Sequence, residues 1–288
     1  MKILLTNDDG YQAIGIRTLA EELSKTHEIY LVAPDTERSG ASQSATYFSQ
    51  DLTVTKQDIP GVKEAYSVSG TPADCAYVGI NFLLKEKMDL VISGINKGWN
   101  VSKDCFYSGT VGAAREAIFM GVPSIAVSLG VKNELGRKLA VKTVEDLIPV
   151  YMNDENRFNY ILNINVPNLD ISDCKGIMVT EFEPEWKYIN TSEKTEIDEN
   201  KFKIRITGTQ MHGNILTDSI QGDASACHNG YVSVTPLSLN MHAGDYQKSL
   251  EAHINTKFKN KILKKFLQIL AEFSIILSFT VKMPNSAY

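Results

Sequence analysis

Apolar and polar positions follow two different periods along most of this chain. Ile3, Leu4 and Leu5 make a short unbroken apolar run within Lys2 to Thr6, which predicts a strand buried on both faces. Ile16, Leu19, Ala20 and Leu23 then recur at i, i+3, i+4 and i+7, the apolar face of a helix ending near His27. The run EIYLVAP, stopped by Pro34, predicts a second strand. Strand, helix and strand in close succession form a βαβ unit, which demands parallel pairing and a right-handed crossover. The alternation continues. MDLVISGINKG predicts a buried strand leading into a Gly-bearing loop, and TVGAAREAIFMG a small-residue helix halted at Gly121-Val122-Pro123. SIAVSL is the next strand, Leu139, Ala140, Thr143, Val144 and Leu147 mark a further helical face, and YILNINVP and GIMVTEF are later strands.

After Glu183 the period changes. Phe202, Ile204 and Ile206 alternate with Lys203 and Arg205, the signature of a half-exposed strand in an antiparallel hairpin, with the polar stretch NTSEKTEIDEN before it expected as the hairpin tip. Residues 1–183 therefore predict a doubly wound, mostly parallel α/β core, and residues 184–288 a β-hairpin and β-rich extension with a C-terminal helical segment. The apolar run FSIILSFTV (273–281) is shorter than the ~20 residues of a spanning helix, and Lys264, Lys265, Gln268 and Glu272 interrupt the stretch before it. No membrane partner is expected.

Composition narrows the class. With 43% hydrophobic and 22% charged residues the 288-residue chain reads as an ordinary globular protein. A net charge of -5 disfavours nucleic-acid polymers, which need clustered Lys and Arg, but leaves a small phosphorylated substrate open if a metal ion supplies positive charge. Cys75, Cys105, Cys174 and Cys227 form no CxxC pair. They read as reduced thiols, and the first apolar run is too short for a signal peptide, so a cytoplasmic protein is expected.

The candidate chemistry sits at strand ends. The first strand runs into Asn7, Asp8, Asp9 and Gly10. Two adjacent carboxylates at the end of a buried strand repel each other and call for a cation. The second strand leads to Asp35, Arg38, Ser39 and Gly40, and VISG leads to Asn96 and Asn100. Each set alone also fits a turn or a helix cap. Their convergence on the carboxyl edge of a parallel sheet is the place where ligands bind. Carboxylate, hydroxyl and amide oxygens suit Mg²⁺, Mn²⁺ or Ca²⁺ and not zinc. In YSGTVGAAREA, the turn of Tyr107, Ser108, Gly109 and Thr110 precedes a helix whose free N–H groups favour an anion; it reads equally as an ordinary N-cap. SVSGTPADC has the same ambiguity, with Asp74 expected to be structural and Thr71 left open. His27, His212, His228, His242 and His253 show no metal-ligand spacing, and no GxSxG elbow is present.

Six blocks in order, ILLTNDDG, VAPDTERSGAS, SGTPADC, VISGINKGWN, YSGTVGAAREA and GYVSVTPL, resemble the SurE family, also called survival protein E. Its members are metal-dependent nucleoside-monophosphate phosphatases. The likeness runs from Met1 to about Asp245, so one such domain would span about residues 1–250. It implies a Rossmann-like core whose hairpin and C-terminal segment exchange between protomers of a homodimer or homotetramer. It also implies hydrolysis of nucleoside 5′- and 3′-monophosphates with one Mg²⁺ or Mn²⁺ per subunit. Residue by residue, it implies metal ligation by Asp8, Asp9, Ser39 and Asn96, and phosphate contacts from Ser108, Gly109 and Thr110, with Asn96 beside them. A metal-activated water would attack phosphorus, with Asp8 or Asp9 as the catalytic carboxylate. The chain departs from the family pattern in SLNMHAGDY and in a longer, more apolar tail beyond His253. Two rivals remain on the residues alone. A receiver-like Mg²⁺-binding signalling module would need a third Asp where this chain has Ser93-Gly94-Ile95-Asn96. A dinucleotide-dependent oxidoreductase would need GxGxxG after the first strand.

Overall fold

The structure, a computed structural model, describes residues 1–130, 134–184, 189–209 and 221–280. In chain order the elements are β1 (Lys2–Thr6), α1 (Ile14–Leu23), β2 (Glu28–Pro34), β3 (Val54–Gln57), β4 (Val62–Val68), α2 (Pro72–Val78) and β5 (Leu90–Lys97). Then come α3 (Asp104–Tyr107), α4 (Gly109–Phe119), β6 (Ser124–Leu129), α5 (Glu134–Met152), β7 (Tyr160–Val166) and β8 (Ile177–Val179). Last are β9 (Ile189–Asp198), β10 (Lys201–Thr209), α6 (Asp223–His228), β11 (Val232–Ser238) and α7 (Gly244–Thr280).

The main sheet has the strand order β3-β4-β2-β1-β5-β6-β7-β11-β8. The six central strands β4, β2, β1, β5, β6 and β7 all pair in parallel. Chain order runs outward from β1 in one direction and resumes from β5 in the other, so the expected doubly wound α/β architecture is present. The reversal falls between β1 and β5, where an open sheet leaves a crevice at its carboxyl edge.

Two apolar layers hold this sheet. Ile3, Leu5, Leu90 and Ile92 pack with Ile16, Leu19 and Leu23 of α1 and Leu139 and Val144 of α5. Leu4 and Val91, pointing the other way by the period-two rule, pack with Cys75 of α2 and Ala117 of α4. Gly94 has φ +139°, and a Cβ there would lie 2.2 Å from the Val127 carbonyl oxygen of β6. Only glycine serves where the end of β5 presses this closely on its neighbour.

Two features differ from the sequence expectation. The polar stretch expected as a hairpin tip is strand β9 itself, paired antiparallel with β10, and the tip is only Glu199-Asn200. Residues 191–206 of this ribbon are exposed, so neither face of β9 needs apolar side chains, and the period that marks a half-buried strand is missing. Second, β11 lies beyond residue 183 yet joins the main sheet, antiparallel to β7 and parallel to β8. Its residues Val232 to Thr235 are buried on both faces. Packing divides the chain into Met1–Leu239 and Asn240–Tyr288. The second unit contains the 37-residue helix α7. Of the FSIILSFTV run, Val281 lies outside the described residues.

Candidate active site

β1 and β5 are neighbours in register, Thr6 opposite Ser93. Past Thr6 the backbone turns through Asn7 to Gly10. Asn7 closes the turn: its Nδ2 donates to the Gly10 carbonyl at 2.9 Å, and its Oδ1 accepts from Gly10 N–H at 3.2 Å. Gly10 has φ +94°, a left-handed geometry that glycine adopts without strain. The turn turns the two carboxylates toward different partners.

Asp8 is 4% exposed. Its Oδ1 accepts from Thr110 Oγ1 at 2.7 Å. A Cβ on Gly109 would stand 2.9 Å from the Cβ of Asp8, so the first turn of α4 approaches Asp8 as closely as it does because residue 109 has no side chain. Ser108 caps the same helix, its Oγ accepting from Val111 N–H at 3.1 Å. Asp9 turns to the end of β5, where Lys97 N–H donates to its Oδ2 at 3.2 Å. Asn96 donates from Nδ2 to the Gly98 carbonyl at 2.8 Å. The loop after β2 is tied in by Arg38 N–H, which donates to the Asp8 carbonyl at 2.7 Å. The next residue, Ser39, donates from its hydroxyl to Glu37 Oε1 at 2.7 Å.

The structure thus brings Asp8 together with Gly109 and Thr110, and Asp9 with the Asn96-Lys97 peptide. The anion at the α4 N-terminus is Asp8 itself. Ser39 belongs to a loop anchored on Asp8, with its hydroxyl turned to Glu37. Sequence reasoning missed Glu37, Lys97 and Arg137. They line a cavity of about 320 Å³ together with Asp9 and Asn96. Glu37 and Lys97 lie inside the quoted blocks VAPDTERSGAS and VISGINKGWN, one or two residues from candidates already chosen.

Burial acts on both carboxylates. Burial pushes the Asp8 carboxyl up to about 6, with the Thr110 bond opposing and the Asp9 charge adding to the rise. Burial also raises Asp9, opposed by the Lys97 N–H bond and reinforced by Glu37. Among the described residues no Lys or Arg forms an ion pair with either. In the paired strands β1 and β5, the buried hydroxyls of Thr6 and Ser93 have no hydrogen-bond partner. Two carboxylates raised by burial, only one of them offset by a nearby Lys97 charge, with hydroxyl and amide oxygens on the adjoining loops, are a donor chemistry that fits a hard divalent cation. Among the described residues no three His, Cys, Asp or Glu cluster as a metal site. A set of two carboxylates, one hydroxyl and one amide has no such cluster to show.

Asp74, by contrast, is a helix cap. It forms a reciprocal capping box with Thr71 at the start of α2. His212 lies outside the described residues. His228 packs edge-on against Trp99, whose Nε1 donates to the Val166 carbonyl at 2.7 Å.

Residues 3–187 match the family model described as survival protein SurE. This chain belongs to the SurE family. It is 42% identical over 240 residues to the 5′-nucleotidase SurE of Clostridium botulinum (strain 657 / Type Ba4), covering 82% of this chain and 92% of that one. It is 39% identical over 250 residues to the 5′-nucleotidase SurE of Idiomarina loihiensis, covering 87% and 96%. Its fold is similar to the crystal structure of the SurE protein from Aquifex aeolicus, with a TM-score of 0.75, 36% identity, and coverage of 88% of this chain and 99% of that one. A SurE fold accounts for the crevice between β1 and β5. Neither the receiver nor the dinucleotide reading has comparable support.

Proposed function

We propose that this SurE-family chain is a divalent-metal-dependent phosphomonoesterase that releases phosphate from nucleoside 5′- and 3′-monophosphates. One observation carries the reading. Asp8 and Asp9 end a buried strand at the sheet's switch point, neither in an ion pair among the described residues, and the α4 N-terminus abuts Asp8 at 2.7 Å through Thr110. The relatives' name, 5′-nucleotidase, supplies the substrate class.

Asp8, Asp9, Ser39 and Asn96 are the residues that would hold the ion, Mg²⁺ or Mn²⁺, with Ser39 exchanging its bond to Glu37 for it. Such an ion polarises a phosphoryl oxygen and makes a nucleophilic water available near neutral pH. The chain's own contribution is placement and charge. Asn96 and the Ser108-Gly109-Thr110 turn would contact the phosphoryl oxygens, with the positive end of α4, which faces Asp8 in this structure, shared between that carboxylate and the phosphate. Thr110 fixes the Asp8 carboxylate, and the Lys97 peptide fixes Asp9. The carboxylate less engaged with the ion orients the attacking water and takes its proton.

The protomer is expected to act in the cytoplasm as a homodimer or homotetramer. The β9–β10 ribbon forms a separate two-stranded sheet, with Phe202, Ile204 and Ile206 exposed. Two strands alone are marginal in water, so a partner subunit is the natural cover.

The test is phosphate release from AMP, GMP, 3′-AMP and p-nitrophenyl phosphate, with Mn²⁺ or Mg²⁺ and with EDTA. Metal-dependent release from the nucleotides is expected. Release that persists after full chelation overturns the mechanism.

A further inference from the structure

Helix α7 is unexplained by the active site. Every residue of α7 whose side chain the structure describes is exposed. Among them are Tyr246, Leu250, Ile254, Phe266, Leu267, Ile269 and Leu270. A long helix carrying this much apolar surface needs something to bury it against.

The sequence and the helix geometry say what kind of surface. Five of the nine residues 257–265 are lysine, and no Asp or Glu lies between Glu251 and Glu272, in a chain whose net charge is -5. At 100° per residue, Ile269, Phe266, Leu270 and Leu267 fall within one half of the helix circumference. Lys257, Lys264 and Lys265 fall in the other, with Gln268. Among the described side chains of residues 257–270, phenylalanine, isoleucine and leucine lie on one side and lysine on the other, the pattern of a helix that lies in a membrane interface. Among the described residues no helix is long and apolar enough to cross a bilayer.

A second copy of the chain fits less well. Tyr246, Leu250 and Ile254 project on the lysine side of the later turns, so no single apolar seam runs the length of α7. A coiled coil requires such a seam. Paired copies would also set their lysine runs against each other.

We propose that the second half of α7 is a docking surface for an anionic lipid bilayer, lying in the interface with its phenylalanine and leucine side inserted and its lysines toward the headgroups. This adds a lipid partner where the sequence reading expected none. It is independent of the nucleotidase assignment.

The test uses the full-length protein and sedimentation with vesicles of pure phosphatidylcholine or of phosphatidylcholine with about one-third phosphatidylglycerol. Binding to the anionic vesicles only is expected, weakening as salt is raised. The triple variant Lys257→Glu, Lys264→Glu, Lys265→Glu should bind those vesicles about a hundredfold more weakly, at about fivefold per lysine. Phe266→Glu with Leu270→Glu should abolish binding. Both variants should keep wild-type phosphatase turnover, which confirms that they are folded. Failure of the wild type to bind, equal binding to both vesicle types, or binding unaffected by either variant overturns the proposal. So does a smaller oligomer for Phe266→Glu with Leu270→Glu without any lipid binding by the wild type, which assigns the face to a second copy.

Discussion

Asp8 and Asp74 are both buried near the N-terminus of a helix, and they are held very differently. Asp74 is 0% exposed. It accepts from Thr46 N–H and Thr71 N–H at 2.8 Å, from Tyr47 N–H at 3.4 Å, and from the Thr46 hydroxyl. Asp8 is nearly as buried, yet its one side-chain donor is the Thr110 hydroxyl, helped less by the N–H groups of Thr110 and of Asp8 itself, and burial still pushes its carboxyl up. A carboxylate surrounded by donors is a structural fastener. One buried at similar depth with few donors carries charge that the fold leaves for something else, and that difference separates site from scaffold without any motif.

The comparison breaks if the two residues respond alike to substitution. The largest expected effect is catalytic. Asp8→Asn, and separately Asp9→Asn, should lower phosphate release from AMP by about a thousandfold, roughly 4 kcal/mol in the barrier, while circular dichroism stays that of the wild type. Asp74→Ala should instead lose about 4 kcal/mol of stability in denaturant titration, because three backbone N–H groups are left without an acceptor. Next is metal. Mn²⁺ at a hundred times its dissociation constant should stabilise the wild type by about 2.7 kcal/mol and leave Asp8→Asn nearly unchanged.

The smallest effect sharpens the comparison by its sign. The folded carboxyl of Asp8 lies at about 6, above the ordinary 3.8, so the metal-free folded state holds this proton more tightly than the unfolded chain. Stability in EDTA should therefore rise as pH falls from above 6 toward 4, and Asp223, also pushed up to about 6 mainly by burial, adds in the same direction. Asp8→Asn should stabilise the metal-free protein at pH 7 by up to about 3 kcal/mol and flatten that pH dependence, both read from thermal melts. Turnover moves oppositely in acid, since it needs the ionised carboxylate.

Much of the core was legible because its chemistry is periodic. Ile3 to Leu5, EIYLVAP and SIAVSL are uninterrupted apolar runs, and they became strands of a parallel sheet buried on both sides. The switch point followed from the order of those strands, and Asp8, Asp9 and Asn96 from lying at their ends. Strand β9 was not legible, because Glu193, Lys194, Glu196 and their neighbours face solvent on both sides and carry no apolar period. The Ser39 hydroxyl could not be placed either. Its direction is decided by Glu37, two residues away, and a pattern argument does not see a competition between two acceptors. The capping box was readable as Thr71 and Asp74, but not the reach of Asp74 to Thr46 and Tyr47, which needs the loop after β2 folded back over α2.

The bond between Asp9 and residue 97 comes from the main chain. Every amino acid except proline offers that N–H, so the hydrogen bond that fixes Asp9 survives a change of side chain at 97, which alters only the charge beside the carboxylate. Mutational scanning at this position should leave the orientation of Asp9 intact for nearly all residue types, with a single hole at proline. A position can thus be indispensable to the site while remaining almost invisible in its own side chain.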